Sequence, residues 1–377
     1  MKKYFSVILC IVIIAVSCPL GVSSVSLGIS ASSAVVMVAD TGEVLYEHNA
    51  HTQRSMASTT KIMTALLALE NADLKKEITV SEKDVAVEGT SMGLLPDDKV
   101  TFEGLVYGML LQSGNDAANV TAVKLSGSVA KFVELMNRRA AEIGMSNTNF
   151  VTPSGLDAPG HYSTAYDMAL LACEAIKNPD FRSISSQKQA VVYYGNPPYR
   201  RTLTNHNKLL GYYDGCIGVK TGFTKKSGRC LVSAAERDSV TIVAVTLNAP
   251  NDWNDHKILL DYGFEKTKNR QLNDEVTYSI PVVGGKAKSV KLAVQEKAFV
   301  DVSEGMGGIS EEYLIDSFLY APVKKGDVAG RIVYYLDSHK VSESIIVADG
   351  NVSSVDIPEK ISVWQKLLNF LKSIFKN

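Results

Sequence analysis

At 377 residues, the chain is long enough for two domains of roughly 150 residues each. Hydrophobic residues make up 46% and charged residues 21%, the proportions of a packed globular protein, which excludes a disordered chain, a collagen-like chain and a polytopic membrane protein. Lysine plus arginine number 39 and aspartate plus glutamate 40, so no global field attracts nucleic acid, and none is expected as a partner.

Residues 1–30 read as a secretory signal peptide. Lys2 and Lys3 precede a mostly apolar run over 4–16, followed by Pro19, Gly21 and small residues. An uncleaved anchor is the alternative, because the run extends toward Leu27. The pattern confines a cut only to residues 24–33. Ala15-Val16-Ser17-Cys18 approximates a lipoprotein box, which Ala15 and Pro19 fit poorly. Losing Lys2 and Lys3 takes the net charge from −1 to −3. Cys10 and Cys18 lie in this segment, leaving Cys173, Cys216 and Cys230. An odd number in an exported protein is no disulfide framework. Cys216 and Cys230 flank an expected hairpin, where they either face each other or stay as buried thiols.

In the first domain of the mature chain (31–270), which carries the motifs described below, residues 34–38 and 44–46 flank Asp40-Thr41-Gly42-Glu43 and predict a β-hairpin. Helical spacing follows over 58–70, with Ile62, Ala65, Leu66 and Leu69 on one face, and again over 102–111, 117–125, 130–143 and 166–176. Thr164 is the expected N-cap of the last. Strand-like runs return at 215–220, 230–236 and 241–247. A hairpin, then helices, then strands is an α+β pattern. Near Asn273 the texture changes to short, often alternating runs at 276–283, 290–294, 298–302, 313–318, 331–336 and 344–348, which predicts a small all-β domain over 271–357.

Beyond Pro358 the pattern becomes helical. Ile361, Trp364, Leu367, Leu368, Leu371, Ile374 and Phe375 form an apolar face opposed by Gln365, Lys366, Asn369, Lys372, Ser373 and Lys376. A basic amphipathic helix over 358–377 is expected to lie in a membrane interface, the alternative being a helix docked on its own domain.

Three short motifs carry the chemistry. Ser58-Thr59-Thr60-Lys61 puts serine and lysine three residues apart near a helix N-terminus, where a desolvated lysine can serve as the base a hydroxyl needs. Alone it is weak, since Ser-x-x-Lys recurs at Ser128–Lys131, Ser185–Lys188 and Ser373–Lys376. Ser113-Gly114-Asn115 lies between two predicted helices, where Ser and Asn also make good caps. Lys220-Thr221-Gly222 ends a predicted strand and precedes Phe223-Thr224; alone, it reads equally well as a polar strand end.

Taken in order, these motifs are those of penicillin-binding proteins and class A β-lactamases. The chain resembles the low-molecular-mass D-alanyl-D-alanine carboxypeptidases, serine peptidase family S11, over nearly its whole length. Residues 56–61, 160–167 and 214–222 share in the likeness. The resemblance implies a penicillin-binding α+β catalytic domain, an antiparallel sheet with helices on both faces, standing on the β-domain as a pedestal. It implies Ser58 as the nucleophile that forms an acyl-enzyme between two D-alanines. Lys61 is then its base, kept neutral by burial and Lys220. Ser113 passes a proton to the leaving amine, and Asn115 holds Lys61 and the substrate amide. Lys220, Thr221, Gly222, Phe223 and Thr224 form the substrate strand, Lys220 and Thr221 supplying charge and hydrogen bonds near the terminal carboxylate with Thr224 beside them, and the oxyanion site lies on the N–H groups of Ser58 and Phe223. The implied partners are a peptidoglycan stem peptide, β-lactam antibiotics as covalent inhibitors, and a membrane surface. The implied role is in cell-wall biogenesis at the outer face of the cytoplasmic membrane, and no cofactor is implied.

Two departures stand out. Where some relatives carry a substrate-side arginine just before this strand, the chain has His206; where some carry histidine after Lys-Thr-Gly, it has Phe223. A class A β-lactamase needs a glutamate to activate the deacylating water, and none lies between Glu142 and Glu174. A D,D-endopeptidase shares the motifs and bond type, and a wall-binding protein with a relic site is the non-enzymatic reading. The six histidines show no metal-ligand spacing, and His161 reads as structural.

Overall fold

The computed structural model describes residues 26–272, 276–303, 308–336, 339–356 and 363–374. Strands β1 (Ser33–Val38) and β2 (Val44–His48) form the expected hairpin. A 3₁₀ turn, Ala57–Thr60, leads into α1 (Lys61–Asn71), followed by β3 (Glu77–Thr79), α2 (Glu82–Val85) and β4 (Lys99–Thr101). A helical run comes next: α3 (Phe102–Leu110), α4 (Asn115–Ser126), α5 (Val129–Ile143), α6 (Ala165–Lys177) and α7 (Pro179–Ser185). Then follow β5 (Gln189–Gly195), β6 (Pro198–Thr204), α8 (Leu209–Tyr212), β7 (Cys216–Thr224), β8 (Gly228–Arg237), β9 (Val240–Leu247) and α9 (Asp252–Lys266). Thr164 caps α6 as expected, its hydroxyl accepting from Asp167 N at 3.0 Å.

The central sheet is antiparallel in the order β2-β1-β9-β8-β7. Strand alternation sends its apolar residues into two cores. Val35, Met37, Val232, Val243 and Val245 face α1, α3, α4 and α6. Ala34, Val36, Leu231, Ile242 and Ala244 face Leu209 of α8 and Leu259 and Leu260 of α9. Helices therefore cover both faces, and β1 and β9 are buried along their whole length. Burying each such side chain contributes roughly 1.5–3 kcal/mol before entropy is counted. β7 is the outermost strand, and its free edge bounds the cleft described below.

From Thr267 the chain is β-rich. Strand β10 (Thr267–Gln271) pairs with β13 (Phe299–Ser303). With them stand β11 (Ser279–Val283), β12 (Ser289–Val294), β14 (Ser310–Ile315), β15 (Leu319–Tyr320), β16 (Val328–Leu336) and β17 (His339–Ala348). The larger sheet has the order β14-β16-β17-β12-β11-β15. Its core alternates inward: Ile280 and Val282, Val290 and Leu292, Ile346 and Ala348. At the junction, the Glu43 carboxylate in the first hairpin accepts from Ser303 N at 3.1 Å and from the Ser303 hydroxyl. Asp301, fully buried, accepts from Asn269 Nδ2 at 2.7 Å. The last described element is α10 (Val363–Ile374), with Trp364, Leu367, Leu368 and Leu371 exposed; Ile361, Phe375 and the lysine of Ser373–Lys376 lie outside the described residues.

Two readings are corrected. Lys220-Thr221-Gly222 does not end its strand, because β7 runs on to Thr224 in register with β8. Cys216 and Cys230 do not face each other: their partners are Ala235 and Gly222, and all three thiols described are free.

Candidate active site

Ser58 stands on the 3₁₀ turn and Lys61 is the first residue of α1. At three residues per turn, positions i and i+3 eclipse, so the Ser-x-x-Lys spacing stacks the two side chains. Lys61 Nζ lies 2.9 Å from Ser58 Oγ. The same nitrogen donates to Asn115 Oδ1 and to Ser154 O, both at 2.7 Å. Lys61 is fully buried, and burial, reinforced by the nearby Lys220 charge and opposed by Asp116, holds its pKa well below that of an ordinary lysine. A neutral amine has two N–H donors and one lone pair. Asn115 and Ser154 take the donors, which leaves the lone pair to accept the Ser58 hydroxyl proton.

The turn is held from beneath. Ala57 adopts φ +48, a conformation unusual for a residue with a side chain. The Thr60 hydroxyl donates to Ala57 O at 2.8 Å and stands 3.0 Å from His161 Nε2. His161 Nδ1 accepts from Val151 N at 2.9 Å, so its proton is on Nε2. Burial pushes this ring down to about 4, keeping it neutral. His161 therefore braces the nucleophile turn, in keeping with its structural reading.

Asn115 opens α4 and is oriented by its own amide, Nδ2 donating to Glu88 O at 2.6 Å. Ser113, at φ +60 and nearly buried, lines the same cleft as Ser58. On the opposite wall Lys220 is buried and its pKa is lowered by burial to about 7; its Nζ donates to Thr221 O at 2.9 Å. Gly222 packs against the nucleophile turn, and a Cβ there would stand 3.1 Å from Met56 O, Ser58 N and Thr59 N. Thr221 and Phe223 line the cleft, Phe223 as an exposed rim residue. Thr224 ends β7, its hydroxyl and N–H tied to Ser227 Oγ at 3.0 Å.

The cleft encloses about 510 Å³ between Ser58, Thr90, Ser113, Asn205, His206 and the β7 edge. Sequence reasoning missed several residues that build it. Ser154 supplies the carbonyl for Lys61, in a Pro-Ser-Gly turn whose only signal was its composition. Asp116 gathers the loop that carries Thr90, accepting from Met92 N, Gly93 N, Leu94 N and Ser91 Oγ at 2.6–3.1 Å. Arg229, Asp252 and Trp253 close the far end. Two of the rival Ser-x-x-Lys pairs are otherwise engaged. Ser128 caps α5 by accepting from Lys131 N, and the Ser185 hydroxyl donates to Ile217 O.

Comparison with known proteins identifies the family. The sequence profile described as D-alanyl-D-alanine carboxypeptidase, peptidase S11, matches residues 21–251. The chain belongs to this family. A second profile, the C-terminal domain of penicillin-binding protein 5, matches residues 264–354. Among members of the S11 family, D-alanyl-D-alanine carboxypeptidase DacF of Bacillus subtilis is 33% identical over 84% of this chain and 85% of its own. DacA of Escherichia coli is 31% identical over 92% and 88%. Penicillin binding protein 5 from Haemophilus influenzae superposes with TM-score 0.62 at 29% identity, covering 86% of this chain and 98% of that one.

Proposed function

We propose that the protein is a serine-type D-Ala-D-Ala carboxypeptidase, which removes the terminal D-alanine of peptidoglycan stem pentapeptides through an acyl-enzyme on Ser58. The single observation that carries this reading is the buried Lys61 nitrogen, which stands 2.9 Å from Ser58 Oγ and 2.7 Å from both Asn115 Oδ1 and Ser154 O. As Oγ attacks the carbonyl carbon between the D-alanines, its proton passes to Lys61. The carbonyl oxygen becomes an oxyanion, received by the N–H groups of Ser58 and Phe223. Collapse breaks the C–N bond, and the leaving nitrogen takes a proton through Ser113, restored from Lys61. Water then attacks the ester with Lys61 again as base, freeing the shortened peptide and Ser58. Thr221, Gly222 and Phe223 on the β7 edge receive the substrate backbone, and the Lys220 charge keeps Lys61 deprotonated. β-Lactams acylate the same serine, and no Glu-x-x-Leu-Asn motif is present to hasten their release.

The location follows from the two termini. The segment read as residues 1–30 acts as the export signal; the packing of Leu27 and Ile29 on the α9 core and the Ser30 Oγ bond to Asp255 Oδ2 at 2.7 Å support a cut at the early end of the 24–33 range. Among the described residues no helix is long and apolar enough to cross a membrane. The exposed apolar side chains of α10 suit a helix lying in the outer face of the cytoplasmic membrane.

The test is D-alanine release from diacetyl-L-lysyl-D-alanyl-D-alanine by residues 26–356, with Ser58→Ala as control. Release that depends on Ser58 is expected. No release, with penicillin still labelling Ser58, points to a D,D-endopeptidase. Neither release nor label overturns the assignment.

A further inference from the structure

The carboxypeptidase reading requires a cation for the substrate's terminal carboxylate, and the position before β7 holds His206 rather than arginine. An ordinary histidine is mostly neutral at pH 7, and partial burial together with the nearby Lys220 charge lowers the His206 pKa further. Besides Lys220, which is buried with its pKa lowered to about 7, the cleft wall carries two cations, Lys208 and Arg229.

Arg229 is built into the wall. It lies on β8 directly opposite Phe223 of β7, while Thr221 lies opposite Leu231. Residues two apart on a strand share a face, as do cross-strand partners. Thr221, Phe223 and Arg229 therefore all project on the α9 side of the sheet, with Arg229 about 7 Å along the strand from Thr221. Its guanidinium is held in place. Nε donates to Asp252 Oδ1 at 2.9 Å, Nη2 approaches the same oxygen at 2.9 Å, and the plane lies 5.6 Å from the centre of the Trp253 ring. Asp252 is almost wholly buried, and its Oδ1 also accepts from Trp253 N at 2.9 Å, so the anchoring carboxylate is itself fixed. Nη1 has no hydrogen-bond partner among the described residues and remains for a ligand. A planar fork oriented in this way matches a carboxylate. Lys208, by contrast, is exposed at the start of α8 and has no such restraint.

Resting on the carboxypeptidase reading, we infer that Arg229, oriented by Asp252 and Trp253, is the substrate-binding residue that recognises the terminal carboxylate beside the Thr221 hydroxyl, in place of a cation at position 206. The specificity for a free C-terminus is thus set from β8 and α9.

The experiment compares kcat/KM for diacetyl-L-lysyl-D-alanyl-D-alanine, whose sole carboxylate is terminal, with that for its C-terminal amide. Arg229→Ala is expected to lower the first by about 10- to 100-fold, the loss of a charge-assisted hydrogen bond, and to leave the second near the wild-type value. The ratio between them therefore collapses. Arg229→Lys is expected to restore part of the ratio. To guard against damage from an unpaired buried carboxylate, Arg229→Ala is repeated with Asp252→Asn, and the same loss of ratio is expected. An unchanged ratio, or equal losses on both substrates, overturns the inference, as does a collapse in Lys208→Ala instead. If the wild-type protein cleaves neither peptide, the carboxypeptidase reading itself has failed. The role of Arg229 is then read from acylation by benzylpenicillin against its methyl ester, where the same collapse supports it and an unchanged ratio overturns it.

Discussion

Lys61 and Ser154 are 93 positions apart, yet the lysine amine donates to the serine carbonyl at 2.7 Å. That contact and the one to Asn115 Oδ1 occupy two N–H groups of Lys61, and under the proposed mechanism they leave the lone pair of the neutral amine for the Ser58 hydroxyl. Arginine cannot give up its proton in this range. Lys61→Arg is therefore expected to slow penicillin acylation by at least ~10²-fold, within the range of general-base contributions. Stopped-flow acylation measures this, and a rate within a factor of ten of wild type removes Lys61 as the base.

Burial of Lys220 couples the site to stability. Its pKa near 7 in the folded protein lies below the ordinary lysine value of about 10.4. Between those values the unfolded chain binds more protons, so stability rises with pH and the contribution is lost as pH falls toward 7. Urea unfolding between pH 7 and 8, below the range where unfolded thiols ionise, is expected to show a positive slope that flattens in Lys220→Met. Parallel slopes in both proteins contradict the shift.

Gly155, at φ +83, lies against the nucleophile turn, where an added Cβ would fall 1.9 Å from Ala57 O. Gly42 has a similar φ of +73 but open space around it. Gly155→Ala is expected to cost about 3 kcal/mol or more and to reduce acylation, against about 1 kcal/mol for Gly42→Ala. Equal losses in denaturant unfolding would show that backbone conformation alone decides.

At the domain junction, desolvation and the neighbouring Asp40 raise the Asp301 pKa to about 6. A raised carboxylate pKa means the folded state binds the extra proton, so stability is fully present below about 4 and falls as pH rises through 6. Asn is an isostere of the protonated acid. Asp301→Asn is expected to stabilise the protein by about 1–3 kcal/mol at pH 7, with the gain vanishing near pH 4. Loss of stability at pH 7 refutes the raised pKa.

Deleting residues 357–377 is expected to release the signal-free protein from anionic vesicles without changing soluble D-alanine release. Co-sedimentation measures the first, and vesicle binding that survives the deletion assigns attachment elsewhere.

Much of the architecture was legible because its periodicity is local. The β1–β2 hairpin, α3 to α6 and most strands of the β-domain follow from alternation or helical spacing. α9 escaped notice because its buried face is partly polar. Asp255 meets Ser30, and His256 sits between Ser233 Oγ and Thr246 Oγ1, so the apolar stripe is interrupted. The β5–β6 hairpin was hidden for the opposite reason: Val191 and Tyr193 are apolar yet exposed, which erases the alternation with buried Ala190, Val192 and Tyr194.

By itself, the sequence determined the α+β class, the β-rich second body and, through the order of three motifs, the family. Tertiary structure alone decided which of the three described Ser-x-x-Lys pairs has a buried lysine, that β7 runs on to Thr224, and that Arg229 reaches the cleft. The reason is that a lysine becomes a base, and an arginine a receptor, only through desolvation and hydrogen bonds supplied by residues distant in the chain. Local spacing brings two side chains together, but the rest of the fold sets their charge.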